Sequence, residues 1–160
     1  MNKVFYFFII ILIIPIGHIS AQRSGGLDDF LDSDISLEVL SQFNPLELDE
    51  LIVSGKYIVI NGTISSLMEI ERSENNFILD LHVVGGRWIS LERVENYSCI
   101  VNVSGIEWES RFPKRPPREE TEEILLQNNR IMVIGKVSSY VMEQGNLIAV
   151  VDAEYIRKTQ

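Results

Sequence analysis

The chain has 160 residues, a formal net charge of −9 and a hydrophobic fraction of 46%. This length is enough for one domain with its own core. The acidic balance argues against nonspecific attraction to nucleic acid or to anionic lipid. The single cysteine, Cys99, excludes an intrachain disulfide, and its apolar neighbours indicate a buried structural thiol.

Residues 1–21 have the layout of a signal peptide. Lys3 gives a positive start, Val4 to Ile16 form an apolar run that is short for a membrane span, and Ser20-Ala21 offers small residues for cleavage. We therefore expect cleavage before Gln22 and an exported protein, periplasmic or secreted, without a stable membrane anchor. An uncleaved anchor is the alternative. Removal of the segment makes the net charge −10, because Lys3 is its only formally charged side chain.

Residues 22–35 are polar and acidic and contain glycine, which predicts a flexible lead-in. Two short helices are predicted after it. Ser36 is a suitable cap for the first helix. Asn44 is a suitable cap for the second, where Pro45 takes the first helical position and Glu47 completes a capping box.

Five strands are predicted from alternating apolar residues and turn signals. The first three are Tyr57–Ile70, Phe77–Val84, which ends at Gly85-Gly86, and Ser98–Ser104. The last two lie within residues 130–157, on either side of the turn Gln144-Gly145-Asn146. Between the third and fourth strands, Glu119–Gln127 is predicted as a helix because acidic residues occupy its first turn.

Three strands, a helix and two strands are the elements of the five-stranded OB-fold barrel. We therefore expect a mainly β OB-fold domain over residues 36–157, including the two N-terminal helices. A small α+β domain with an open antiparallel sheet is the structural alternative.

Two glycines occupy equivalent positions in an internal repeat. Ile58–Ser66 aligns without a gap with Ile131–Ser139, and the fifth residue of each is a glycine, Gly62 and Gly135. A strand glycine between apolar residues indicates a bulge or a sharp bend, as a small barrel needs at its corners. We predict that both glycines are structural bend residues.

The runs Leu37–Pro45 and Ser54–Ile64 resemble the secreted OB-fold proteins of the tRNA-anticodon-domain-like group. That group has two short helices followed by a strand with the pattern G-K-x-hydrophobic-x-hydrophobic-x-G-x-V, and Ile131–Val137 is similar to its second V-x-G-x-V strand. The resemblance covers about residues 36–156 and implies an OB-fold. The name of the group records similarity of shape, so tRNA binding is not implied. Arg130 departs from the usual G-D of the group.

No catalytic, metal or cofactor site is predicted. His82 is the only histidine after residue 21, and it lies beside Asp80 on one strand face, an arrangement that does not give a Ser-His-Asp relay. No His/Cys cluster has zinc spacing. A nucleic-acid-binding OB-fold needs aromatic platforms and a basic groove. The aromatic residues are present, but only Lys136 is charged among eight outward positions of the first and fourth strands, so nucleic acid is predicted to be a poor partner.

The segment 111–118 is the one local reversal of charge, with four cations and three prolines in eight residues. Such a stiff basic arm is suited to docking an acidic partner. The predicted partner-binding residues are Trp108, Arg111, Phe112, Lys114, Arg115 and Arg118. The predicted function is a non-enzymatic module of the cell envelope that binds a protein partner or a small ligand. A solvated loop is the alternative for the segment, and an OB-type oligonucleotide or oligosaccharide binder is the alternative function.

Overall fold

The structure is a computed structural model that describes residues 30–115, 117–119 and 121–159. The predicted signal peptide, 1–21, and the first part of the lead-in, 22–29, lie outside these residues. The elements in chain order are β1 (Leu31–Asp32), α1 (Leu37–Leu40), α2 (Pro45–Ser54), β2 (Tyr57–Arg72), β3 (Phe77–Ser90), β4 (Arg93–Ser104), a 3₁₀ helix (Ile106–Arg111), β5 (Arg130–Glu143) and β6 (Asn146–Lys158).

The two helices begin at the caps that the sequence predicts. The Ser36 hydroxyl accepts a hydrogen bond from the backbone N–H of Val39 at 3.3 Å. Asn44 and Glu47 form a capping box, in which the Glu47 carboxylate accepts from the backbone N–H of Asn44 at 2.8 Å. α2 ends at Gly55, which has a φ of +60°, a conformation that glycine adopts without strain. In the described part of the chain, no helix is long and apolar enough to cross a membrane.

The fold is mainly β, and its strands form one sheet whose pairings close into a ring. β2 pairs antiparallel with β5 through its first half and with β3 through its second half. β3 then pairs with β4, β4 runs parallel to β6, and β6 pairs antiparallel with β5. The core lies inside this ring, and its largest fully buried side chains include Phe77, Leu81, Ile58, Ile60 and Ile131.

The sheet has six strands, so the prediction of five is corrected. The additional strand, β1, lies in the predicted flexible lead-in and pairs parallel with the start of β2. The backbone N–H of Tyr57 donates to the carbonyl oxygen of Phe30 at 2.8 Å, just before β1. Two residues of polar, acidic sequence carry no alternating pattern, so this short strand could not be recognised from the sequence.

The predicted helix Glu119–Gln127 is wrong, because the described residues of this segment form turns and irregular chain. Leu125 is fully buried, and its backbone N–H donates to the carbonyl oxygen of Arg111 at 2.9 Å. This tertiary hydrogen bond takes the place of a helical one. A short 3₁₀ helix, Ile106–Arg111, follows β4 instead.

The predicted break at Gly85-Gly86 is also wrong. Gly85 pairs with Tyr97 and Gly86 with Asn96, so β3 continues to Ser90 and β4 begins at Arg93. The β3–β4 hairpin therefore extends beyond Val84, the last β3 residue that pairs with β2. This extension places the tip of the hairpin outside the ring of strands.

Gly62 and Gly135 both lie where neighbouring chain segments approach closely. Gly62 is next to Thr63, the residue at which β2 exchanges β5 for β3 as its partner. A Cβ atom at Gly62 would be 2.5 Å from Val83 Cγ1. Gly135 is buried at a shift of register between β5 and β6, where a Cβ atom would be 2.8 Å from Val151 Cγ1. Space, and not an unusual φ, restricts the side chain at both positions.

Candidate functional site

The predicted partner-binding segment begins inside the core, and this corrects the expectation that its aromatic residues are available to a partner. Trp108 and Phe112 are buried, and the Phe112 ring stacks on Phe77 with the centroids 6.1 Å apart. The Arg111 guanidinium lies 5.2 Å from the centroid of the Trp108 ring and donates to the carbonyl oxygen of Ile156 at 2.9 Å. These three residues attach the 3₁₀ helix to the ring of strands.

Arg72 of β2 holds the same segment from the other side. Its guanidinium donates to the Glu109 carboxylate and to the carbonyl oxygen of Phe112, each at 2.9 Å. The other predicted partner-binding residues are exposed to solvent, and they are Lys114, Arg115 and Arg118. The structure therefore separates the six predicted residues into three that pack and three that face solvent. A binding role for the exposed three remains a prediction.

A cavity of about 850 Å³ opens at the end of the ring beside α1. Arg87 reaches across it and lies 2.7 Å from the Glu38 carboxylate and 3.6 Å from that of Glu95. Burial raises the pKa of Tyr97 to about 12, together with the hydrogen bond that its hydroxyl donates to Glu95 at 3.0 Å. The charge of Arg87 is thus balanced by carboxylates of the protein, and its ion pair with Glu38 connects the β3–β4 hairpin to α1.

A groove of about 390 Å³ lies on the face of the sheet that points away from the core. We call it the outer groove, and its lining residues are Ser66, Met68, Asp80, His82, Ile100, Val141, Met142 and Glu143. Strand register brings them together, because Ser66 lies directly opposite His82, and His82 lies directly opposite Ile100. Side chains that are opposite each other on paired strands share one face.

Exposed apolar side chains border the outer groove. Met68 is 58% exposed and Met142 is 68% exposed. On the same face, further along β3, Trp88 lies opposite Val94 and is 71% exposed. Leu91, in the turn of this hairpin, is fully exposed. The exposed apolar side chains thus form two groups, one at the groove and one at the hairpin tip, and groups of this kind are a signal of an interaction site, whereas single exposed apolar residues are ordinary.

The polar groups of the outer groove are mainly hydrogen-bond acceptors. Asp80 accepts a hydrogen bond from the Asn102 side-chain amide at 2.7 Å, and Glu143 adds a second carboxylate. No lysine or arginine is among the described residues that line the groove. With methionine side chains that can adapt their shape and an exposed indole about 20 Å further along β3, the surface is suited to an extended ligand with flat, partly apolar groups that donate hydrogen bonds.

Part of this site could have been found from the sequence. The alternation in Phe77–Val84 places Asp80 and His82 together on the face away from the core, as the structure does. Met68 and Met142 were missed, although apolar residues at outward positions of a strand are the available signal. Trp88 is one of the aromatic residues that the sequence offers, but the break predicted at Gly85-Gly86 separates it from the strand that carries Asp80 and His82.

No protein-family model matches the sequence. No curated protein matches it either. Several solved structures are similar in fold. The chain is 18% identical to the single-stranded DNA-binding protein of Thermus aquaticus, with 65% of this chain and 48% of that chain covered and a TM-score of 0.41. It therefore spans about half the length of that protein.

Two further similarities cover most of the other chain. For the small single-stranded DNA-binding protein of Streptomyces coelicolor, the identity is 14%, the coverage 64% of this chain and 91% of that chain, and the TM-score 0.39. For the Plasmodium falciparum SSB in complex with ssDNA, the identity is 7%, the coverage 65% of this chain and 94% of that chain, and the TM-score 0.42. The strand pairings of the chain itself, with β2 joined to β5, agree with the OB-fold predicted from the element order. At these identities the similarity concerns the fold, and the ligand of this chain has to be argued from its own surface.

These comparisons contradict the prediction of an envelope module that binds a protein partner or a small ligand, with nucleic acid a poor partner. The similar proteins are single-stranded DNA-binding proteins, which agrees with the alternative of an OB-type oligonucleotide binder. The error came from giving net charge too much weight. Charges that are far apart on the surface are screened over roughly 10 Å at 0.1 M salt, whereas base stacking on an aromatic ring is a contact interaction.

Proposed function

We propose that this protein binds a short single-stranded oligonucleotide across the outer face of its sheet. The single observation that carries the proposal is the exposed apolar surface along the outer groove and the β3–β4 hairpin, with Trp88 at 71% exposure. The flat apolar face of one nucleobase would cover the Trp88 indole, and the polar edge of another base further along the strand would meet the carboxylates of the groove, which lie about 20 Å or more away along β3.

The charge distribution indicates binding through bases more than through phosphates. Near Trp88 the cations are Arg87 and Arg93, and Arg87 is already paired with Glu38. Each phosphate neutralised in a single strand contributes about 0.7 to the slope of log K against log salt. We expect a slope no steeper than about −1.4, which corresponds to two such contacts. A slope steeper than about −3 would mean that other cations bind the strand and would contradict this binding face.

Tryptophan fluorescence gives a direct test, because Trp88 is exposed and Trp108 is buried. A single strand of about 15 nucleotides, within the range of site sizes for an OB-fold, is titrated into the protein. We expect quenching of the Trp88 emission, and loss of that quenching in Trp88→Phe. In an assay with a labelled strand, Trp88→Ala should weaken binding roughly 5- to 150-fold, the equivalent of one stacked base.

The matched control is Val53→Ala, which removes an exposed apolar side chain from α2, on a different element. This variant should bind as the wild type does. Equal affinity of the wild type and Trp88→Ala would refute the proposed face. Absence of binding to every single strand tested at low salt would refute the function.

An oligosaccharide is a second candidate ligand. The observation that favours it is the combination of an exposed indole with two carboxylates, Asp80 and Glu143, in an acidic protein. A neutral sugar can stack on an aromatic ring and donate its hydroxyls to carboxylates without electrostatic repulsion. A neutral glycan that quenches Trp88, where single-stranded DNA does not, would favour this class.

We also propose that the protein is exported and belongs to the secreted tRNA-anticodon-domain-like group that it resembles. Export is supported by the charge and the apolar run of residues 1–21, and the resemblance by the two capped helices before β2. N-terminal sequencing of the secreted or periplasmic protein should begin at or near Gln22. Recovery of the intact chain from the soluble cytoplasm would contradict export.

A further inference from the structure

One buried polar atom in the outer groove has no partner within the protein. Among the side chains that the structure describes, His82 Nε2 is the buried nitrogen or oxygen atom without a hydrogen bond. An imidazole nitrogen buried in this way destabilises a protein, because its hydrogen bond to water is lost and not replaced. Such an unsatisfied group in a ligand groove is a candidate for contact with the ligand, and because the atom is buried, flexible neighbours such as Met68 and Met142 must move for the contact to form.

The surroundings of His82 restrict what that ligand can be. Asp80 lies two residues away on the same face of β3, about 7 Å along the strand. Asp80 already accepts from the Asn102 amide at 2.7 Å and has further lone pairs to offer. Glu143 closes the groove with a second carboxylate. Carboxylates accept hydrogen bonds and do not donate them, so the groove favours a ligand edge that presents N–H groups.

We infer that His82 and Asp80 read the edge of a nucleobase that carries an exocyclic amino group, so that cytosine and adenine are preferred to thymine and uracil. The inference rests on the proposed function and names the bases that the groove selects. The amino group of cytosine or adenine would donate to the Asp80 carboxylate, and the neighbouring ring nitrogen would accept from His82 Nε2–H.

Thymine and uracil present the opposite pattern along the same edge. Their one N–H group lies between two carbonyl oxygens, so a carbonyl dipole would face the Asp80 carboxylate. The adjacent methionine side chains, Met68 and Met142, line the same groove and can repack around bases of different size. Discrimination is therefore expected from the polar pair and not from the dimensions of the groove.

The test compares oligo-dC with oligo-dT of about 15 nucleotides by fluorescence anisotropy. One well-placed hydrogen-bonding pair gives roughly 5- to 150-fold discrimination, so the wild type should bind oligo-dC at least about fivefold more tightly. His82→Phe should bring the two affinities to within about twofold of each other. His82→Gln, which keeps a hydrogen-bonding group, should retain part of the preference.

Two controls separate recognition from folding. Asp80→Asn should lower the dC to dT ratio, whereas Asp49→Asn, the same change at an exposed position of α2, should leave the ratio unchanged. His82→Phe removes the unpartnered atom, so its melting temperature should rise by a few degrees while its selectivity falls. A structural role for His82 predicts the reverse, with a lower melting temperature and an unchanged ratio.

Each outcome decides one of the two proposals. Equal affinity of the wild type for oligo-dC and oligo-dT, or a ratio that survives His82→Phe, overturns base reading by His82 and leaves oligonucleotide binding in place. Failure of the wild type to bind either strand, while it remains folded, overturns the proposed function and this inference with it.

Discussion

One added methyl group at Gly135 tests how closely β5 and β6 approach each other. A Cβ atom there would lie 2.8 Å from Val151 Cγ1 and inside contact distance of the carbonyl oxygen of Asp152. The Val151 methyl can turn away, but a backbone oxygen moves only with its strand. We expect Gly135→Ala to lower the free energy of unfolding by about 1–3 kcal/mol, the usual cost of overpacking in a core.

Two other glycines provide a graded comparison. A Cβ atom at Gly62 would be 2.5 Å from Val83 Cγ1 and 3.0 Å from the carbonyl oxygen of Val84, so we expect a cost near the lower end of that range, about 1 kcal/mol. A Cβ atom at Gly85 would meet only Leu37 Cδ2, at 3.2 Å. That methyl ends a rotatable side chain, so Gly85→Ala should change stability by less than about 0.5 kcal/mol.

Urea denaturation followed by circular dichroism measures all three variants. The urea midpoint should be highest for Gly85→Ala, lower for Gly62→Ala and lowest for Gly135→Ala. The dependence of the unfolding free energy on urea concentration should be the same for all three, because the surface exposed on unfolding is the same. Each kcal/mol corresponds to about 2–4 °C of melting temperature for a chain of this size. If Gly135→Ala and Gly85→Ala share one midpoint, close approach of the two strands is not what restricts residue 135.

Two further predictions concern single side chains. Arg111→Ala should lower the free energy of unfolding by about 1–3 kcal/mol, because the carbonyl oxygens of Glu123 and Ile156 lose their hydrogen-bond donor. Arg115→Ala, at an exposed position, should stay within about 0.5 kcal/mol of the wild type. Equal thermal midpoints for the two variants would contradict the packing role of Arg111. Burial raises the pKa of the Cys99 thiol to about 12, so a disulfide reagent at pH 8 should modify Cys99 much faster in urea than in the folded protein, and rapid modification of the folded protein would show that Cys99 is accessible. The contribution of Cys99 to stability should decline as pH rises above its ordinary pKa of 9.0, because there only the unfolded chain loses the proton.

The sequence was sufficient where local chemistry determines structure. The Asn44 cap with Glu47 is complete within four residues, and α2 begins there. The alternation from Phe77 to Val84 separates buried from outward side chains without reference to any other segment. The turn at Gly145 joins β5 and β6 where the sequence places it.

The sequence was insufficient where distant contacts decide. Glu119 to Gln127 has the composition of a helix start, but the burial of Leu125 and its hydrogen bond to Arg111 hold the segment in another conformation. The outer groove depends on the register of four strands, and one of them, β5, follows β4 only after a long segment, so its register is not encoded by any single run of residues. His82 could be assigned to a face, but its lack of a partner could be seen only in three dimensions.

The long strand β2 makes the order of synthesis matter for folding. Its second half meets β3 almost immediately, since only a short turn separates them, whereas its first half pairs with β5, with Tyr57 opposite Lys136. Ile58 and Ile60, fully buried in the finished fold, therefore remain without their partner strand until Arg130 and the residues after it have emerged from the ribosome. Pairings so distant in sequence form slowly, and a nascent chain with an uncovered apolar strand is a natural client for a chaperone.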